Sequence, residues 1–316
     1  MEKYDVIMLS TPEKIHLLDV SYKYLRRNLG AEHYYLIANK SVKALFDKKL
    51  ENKVLFVDEE SIMDGLNIDT IRRLIKEKND DAHLAGWYLQ QFLKMAYSLI
   101  CRNNYYLVWD VDTIPLRKIQ YFSSKRSPYF IVKDEYHKPY FDTINILFDG
   151  RVGRIDKKVS YISENMLINS QFMREVIMCI EYNHKVDGEK FYEKIINSVK
   201  ARYLSSSGFS EFETYGNYVD TFYKGVYKHK RVESLRQGAV LFGMSPSEED
   251  LLWASKDYDM ISFEEHTRMW MKSIVSINLV RNLFHLKDVY SFLHSLELVW
   301  KGIKDTFHVG KKRSDA

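Results

Sequence analysis

Apolar positions along the chain follow two rhythms. Short unbroken apolar runs occur at residues 4–10 (YDVIMLS), 33–38 (HYYLIA), 54–57 (VLFV) and 105–109 (YYLVW). Runs of this length, bounded by turn residues, predict strands buried on both faces. Between them the spacing turns helical. Ile15, Leu18, Leu25 and Leu29 mark a helix over 13–28 that Gly30 stops, and Leu84, Trp87, Leu89, Phe92, Leu93, Ala96 and Leu99 mark one over 84–102. Residues 58–81 are polar and predict a surface excursion. Further along, a strand is expected at 129–133. A helix is expected over 166–181, opening at Ser163-Glu164-Asn165, with another helical pattern over 189–204 and a late strand at 239–243. Strands alternating with helices predict an α/β fold: an open, mostly parallel sheet flanked by helices. No composition break divides the chain before its last stretch. The expected organisation is one domain over 1–270 and an amphipathic helical extension over 271–316, ending in the basic tail Lys311-Lys312-Arg313.

Composition narrows the class. Hydrophobic residues at 46% and charged residues at 28% are ordinary globular usage, which excludes a disordered chain, a collagen-like fibre and a coiled-coil rod. The net charge of +4 has no clustered basic face behind it, so nucleic acid is not an expected partner. The sign suits an anionic ligand such as a nucleotide, or loose contact with an anionic membrane surface. Cys101 and Cys179 have neither disulfide-framework nor metal-type spacing, and a cytoplasmic location with reduced thiols is expected. The start Met1-Glu2-Lys3-Tyr4-Asp5 lacks the pattern of a signal peptide. Residues 274–300 are apolar but interrupted by Arg281, His285, Lys287, Asp288 and Glu297, which argues against a spanning helix. The aromatic surplus (Tyr 23, Phe 17, Trp 5) fits either core packing or a wide binding cleft.

The chemistry concentrates at Asp110-Val111-Asp112. These carboxylates leave an apolar strand at its carboxyl end, the edge where open α/β sheets bind ligands. Positions i and i+2 of an extended chain point the same way. Two carboxylates so close repel unless positive charge sits between them. A hard divalent cation with oxygen ligands, Mg²⁺ or Mn²⁺, answers that need and would take further oxygens from a nucleotide diphosphate. The bland alternative is a solvated acidic turn; Trp109 before the pair and Pro115 after it favour the site.

At these residues the sequence resembles the GT-A glycosyltransferases. More narrowly, GWYLQQFLKM (86–95), YLVWDVDTIPLR (106–117) and SEFETYGNYV (210–219) are similar to a poorly characterised bacterial group linked to capsule, O-antigen and related surface polysaccharide (lipopolysaccharide) synthesis. The resemblance spans about residues 4–270. It implies a metal-dependent transferase moving a sugar from a nucleotide-sugar donor, a UDP-sugar foremost, to a surface-polysaccharide or lipid-linked acceptor. It also implies Mn²⁺ or Mg²⁺ on Asp110 and Asp112, with His266 as a third ligand. Donor contacts would come from Ser10, Thr11, Gln90, Gln91, Lys94 and Trp109. Glu211 would be the base that takes the acceptor proton, with Glu213 second, and Asp134 and Glu135 as rivals. Glu213 has a structural alternative, since Ser210 and Glu213 have capping-box spacing. Lys94 has another, as an ordinary surface lysine. Tyr136, His137, Tyr140 and Phe141 form either an acceptor platform or part of the core. Asn165 and Asn169 suit sugar hydroxyls or helix caps. Other classes stay open: a nucleotidyltransferase or phosphohydrolase, although MLSTPEKI (8–15) lacks a glycine-rich phosphate loop, and a non-catalytic GT-A-like carbohydrate-binding protein. The basic tail would allow peripheral contact with the inner face of the plasma membrane.

Overall fold

The computed structural model describes residues 2–45, 50, 51, 53–264, 275 and 278–296. They divide into two compact units, one of residues 2–113 and 119–232, the other of residues 114–118 and those from 233 onward. The expected boundary at 270/271 falls in a stretch outside the described residues.

The first unit opens with β1 (Tyr4–Leu9), α1 (Leu17–Asn28), β2 (Tyr34–Ala38), α2 (Lys40–Lys43) and β3 (Leu55–Asp58). It continues with α3 (Ile68–Lys76), α4 (Ala85–Ala96) and β4 (Tyr105–Asp110). In β5 (Thr113–Pro115) the chain passes into the second unit. It returns for β6 (Tyr129–Ile131), α5 (Lys138–Leu147), β7 (Asn165–Asn169), α6 (Ser170–Glu181), α7 (Phe191–Ser198), α8 (Glu211–Phe222) and β8 (Lys228–Lys230). Five strands form the central sheet in the order β3-β2-β1-β4-β7. The first four are parallel and β7 runs antiparallel to β4, pairing Trp109 with Asn165. Every residue of β1 is buried, as the unbroken apolar run predicts. The open, mostly parallel α/β sheet flanked by helices is therefore the architecture that the sequence pattern foretold.

Three local expectations are corrected. The polar stretch 58–81 contains α3, which Asn67 caps by accepting from Thr70 N at 2.9 Å and which buries Ile71, Leu74 and Ile75. Residues 165–169 are a strand, not helix: Asn165 to Ile168 are buried in register against β4, and the helix starts only after Asn169, whose side chain accepts from Gln171 N and Phe172 N. The apolar run at 239–243 lies in a short helix, Gly238–Phe242, not in a strand.

Aromatics fill the core of this unit. Trp109, Tyr88, Tyr106, Tyr161, Tyr215, Phe92 and Phe130 are fully buried. Phe92 meets Phe191, Phe209 and Tyr192 at centroid distances of 6.0, 6.0 and 6.4 Å. The aromatic surplus is mainly core. α8 reaches it through Gly216: a Cβ there would stand 2.3 Å from the Tyr161 ring, so only glycine allows the approach.

The second unit is built on the sheet β5-β10-β9, with β9 (Ser234–Leu235) parallel to β10 (Met260–Ser262). Leu116 N donates to Asp259 O at 2.8 Å, and Arg117 Nε donates to Ser255 O at 2.6 Å. Two helices, α9 (Gly238–Phe242) and α10 (Glu248–Ala254), complete its first part. Among the described residues, Asn278–Leu283 and residues 286–296 are also helical.

Candidate functional site

The sheet order fixes where a ligand can enter. From β1 the strands step outward through β2 to β3, and β4 is then placed on the opposite side of β1. The reversal opens a crevice beyond the carboxyl ends of β1 and β4, the usual ligand site of such sheets. Leu9 is paired with Asp110 across this boundary. The chain leaves β1 through Ser10 and Thr11 into the single turn Pro12–Lys14, and leaves β4 through Asp110, Val111 and Asp112. Lys14 closes the gap: its Nζ lies 2.5 Å from Asp112 Oδ2, joining the two strand ends. The Lys14 side chain is 39% exposed, whereas that of Asp112 is nearly enclosed.

Below this pair lies a second cation. Lys94, on α4, is buried, and its Nζ is 3.0 Å from Asp110 Oδ1 and 3.0 Å from Glu211 Oε1. It also stands 4.9 Å from the Phe212 ring centroid, a cation–π contact. Burial alone would lower the pKa of this ammonium, but the charges of Asp110 and Glu211 outweigh it and hold it above the usual lysine range. Loss of hydration pushes Asp110 up to about 6; Lys94 pulls against that, while Asp112 and Glu211 add to it. Each carboxylate of the Asp-x-Asp pair thus has its own ammonium partner. Gln91, one turn before Lys94, is buried too. Its Oε1 accepts from Glu211 N at 3.1 Å, and its Nε2 has no hydrogen-bond partner among the described residues. An orphaned buried donor of this kind marks functional or strained ground.

The structure therefore brings together Asp110, Asp112, Lys94, Gln91 and Glu211, with Ser10 and Thr11 at the neighbouring strand end. Ser10 is buried and its Oγ donates to Thr11 O at 3.0 Å. Gln90 is half-buried on α4. Trp109 is different: its ring is fully enclosed and its Nε1 donates to Thr113 O at 2.7 Å. It braces the turn after the Asp-x-Asp and presents no face on which a donor could stack. Glu213 is likewise committed. Its carboxylate accepts from Ser160 Oγ at 2.7 Å, Tyr161 N at 3.1 Å and Asn217 Nδ2 at 2.8 Å. Ser210 caps α8 by accepting from Glu213 N at 3.2 Å, but the Glu213 side chain does not return the bond, so only half of the expected capping box forms. His266 lies outside the described residues. Asn169 is a helix cap, and Asn165 is buried, accepting from Tyr121 Oη at 2.6 Å. Asp134 is exposed and 4.0 Å from Arg231.

One residue was missed from sequence: Lys14 sits in the turn already singled out at the end of β1, and its charge beside Ser10-Thr11 was the available signal. Tyr140, on α5, belongs to the aromatic cluster expected as an acceptor platform or as core, and its hydroxyl pKa is raised first by burial and then by the Glu211 charge.

Among the described residues, one group of three metal-type side chains, Asp5, Glu32 and His33, brings its ligand atoms within 4.8 Å of one another. It lies at the amino ends of β1 and β2, away from the crevice. His33 Nδ1 is 3.1 Å from Asp5 Oδ1, and Lys3 takes Glu32 at 2.6 Å.

Residues 17–146 match a model described as a family of unknown function, DUF6492. No curated protein matches the chain. Solved structures with a similar chain path include mouse xyloside xylosyltransferase 1 in its apo form. That likeness has 11% identity, covers 83% of this chain and 97% of that one, and gives a TM-score of 0.41. Another is galactosyltransferase LgtC in complex with donor and acceptor sugar analogues. It has 10% identity, covers 88% of this chain and 93% of that one, and gives a TM-score of 0.42.

Proposed function

We propose that the chain is a glycosyltransferase that takes a sugar from a nucleotide-sugar donor, a UDP-sugar foremost, and passes it to a saccharide of a surface polysaccharide or its lipid-linked precursor. The observation that carries this reading is the Asp110/Asp112 pair at the carboxyl end of β4, set in the crevice where the strand order reverses. The resemblance of the motifs at 86–95, 106–117 and 210–219 to the surface-polysaccharide group supports the choice of acceptor.

A divalent cation, Mn²⁺ or Mg²⁺, fits the pair. Asp110 and Asp112 offer hard oxygens, and an ion on them would take over counter-charge that Lys94 and Lys14 supply to the pair. Bound there, such an ion supplies neutralising charge to a diphosphate leaving group. The chain's own residues prepare the site. Lys94 fixes the Asp110 carboxylate from below. Glu211 holds Lys94 in turn, so it acts as a positioning residue rather than the proton-accepting base expected from its place in the motif: its Oε1 is committed to an ammonium and the residue is buried. Glu213 holds the 160–161 turn onto α8. Lys14, on an exposed turn, is the mobile-length cation at the crevice mouth and is suited to a phosphate once it leaves Asp112.

The testing experiment is a screen of sugar nucleotides for turnover with Mn²⁺, followed by Asp110→Asn and Asp112→Asn. We expect donor turnover in the parent chain and its loss in both variants, with unchanged thermal unfolding. Full activity in either variant, or in excess EDTA, would remove the cation from the reading. No helix of the described residues is long and apolar enough to cross a membrane. Peripheral docking through the tail, whose residues lie outside the described ones, is part of the proposal, and deletion of 301–316 should release the protein from membrane fractions.

A further inference from the structure

A surface cavity of about 910 Å³ opens on the first unit beside α5. Its volume falls in the range of about 300–1,000 Å³ typical of small-molecule sites. One wall is aromatic. Tyr136 and Phe141 stack with centroids 5.3 Å apart and planes at 19°, and Tyr136 is 56% exposed. The Arg154 guanidinium lies 4.9 Å from the Tyr136 centroid and 6.0 Å from that of Phe141. Its Nε and Nη2 donate to the carbonyls of Asp156, Val159, Glu135 and Lys157, which fixes the guanidinium plane. Its Nη1 makes no hydrogen bond among the described residues, and the exposed Lys157 ammonium and Asn145 amide are in the same position. Lys200 reaches the cavity with its Nζ 2.8 Å from Asp142, but Asp142 is shared with Lys138 at 2.6 Å. Cations therefore outnumber carboxylates around the opening, with Asp134 the remaining acid.

We propose that this cavity binds an acidic saccharide, a sugar chain carrying a carboxylate or phosphate. The chemistry of the lining selects the ligand class. Exposed aromatic faces stack on the apolar C–H faces of pyranose rings, and planar donors such as Asn145 and Arg154 suit ring hydroxyls. The unpartnered Nη1 and the Lys157 ammonium then select an anion, because hydrogen bonds from fixed cations to anions are the strong ones. A neutral glycan would give neither a hydrogen-bonded counter-ion. The volume leaves room for more than one sugar ring.

The test is binding without donor or cation, by saturation-transfer NMR and calorimetry. The probes are a disaccharide containing glucuronic acid, the neutral disaccharide cellobiose, glucose 6-phosphate and inorganic phosphate. We expect the two acidic sugars to bind, the acidic disaccharide about tenfold or more tighter than cellobiose, as one charge-assisted contact provides. Preference between glucuronate and sugar phosphate names the source of the anion. Tyr136→Ala and Lys157→Ala, which remove no side-chain hydrogen bond, should each weaken binding of the acidic disaccharide about tenfold while leaving thermal unfolding unchanged. Equal binding of both disaccharides, full competition by inorganic phosphate, no saccharide binding, or unaltered binding in both variants would overturn the proposal. None of these outcomes depends on donor turnover, so failure here is separable from failure of the transferase reading.

Discussion

Lys94 shows how one side chain can organise a site. It is buried between two carboxylates, so removing its charge strands both. Lys94→Met is expected to destabilise the chain by about 3–5 kcal/mol, the cost of leaving buried charge unpaired, and Glu211→Gln in the same chain should recover part of it. Urea denaturation of the single and double variants measures both. Glu213 makes a contrasting case. Burial raises its pKa above the usual 4.5, against the pull of Ser160, Tyr161 N and Asn217. The folded chain therefore holds this proton more tightly than the unfolded chain. The stability it contributes is complete below the ordinary value and is lost as pH rises through the folded one. Glu213→Gln cannot titrate, so its stability relative to the parent should improve as pH rises above the ordinary glutamate value of 4.5; parallel melting curves for the two would refute this. At this scale Asp110 and Asp112 were legible because their signal is local, two acids at the end of an apolar run. Lys14 was not, because its partner lies 98 residues away in sequence and only the pairing of β1 with β4 brings them together.

Among elements, α8 is the one whose sequence and packing conflict most. Glycine inside a helix costs about 1 kcal/mol relative to alanine. Gly216→Ala should gain that amount and yet destabilise, because the new Cβ would lie 2.3 Å from a buried Tyr161 ring and overpacking costs about 1–3 kcal/mol. A raised denaturation midpoint would show that the ring can yield. The elements misread from sequence share a cause. A short apolar run carries no periodicity that separates a buried strand from a buried helical turn. Residues 165–169 became strand through register with β4, and 238–242 became helix where Gly238 approaches Ser262 O, with room for no Cβ (2.7 Å). The helix at 68–76 was hidden because its buried Ile71, Leu74 and Ile75 are diluted by charged neighbours. Long elements such as β1, β4 and α4 were readable because many residues repeat one message.

The whole molecule divides where the sequence shows no linker. Residues 114–118 belong with the second unit although both flanks belong to the first, and composition cannot reveal such a loan. A chain ended after Val232 would keep this segment without β9 or β10, leaving the normally buried Ile114 and Leu116 uncovered. Trypsin should then cut after Arg117, which the full chain ties to Ser255 O and Lys256 O; equal resistance in both would contradict the division. The loan also orders events in time. During synthesis β5 leaves the ribosome early, but it must wait for residues 234–262 before its own sheet can close. The turn that carries Asp112 is next to it in the chain, so the last-made part of the second unit's sheet decides when the segment leaving that acidic turn is anchored. A nascent chain stalled before residue 262 would hold a nearly complete first unit with one end of its acidic turn still untethered.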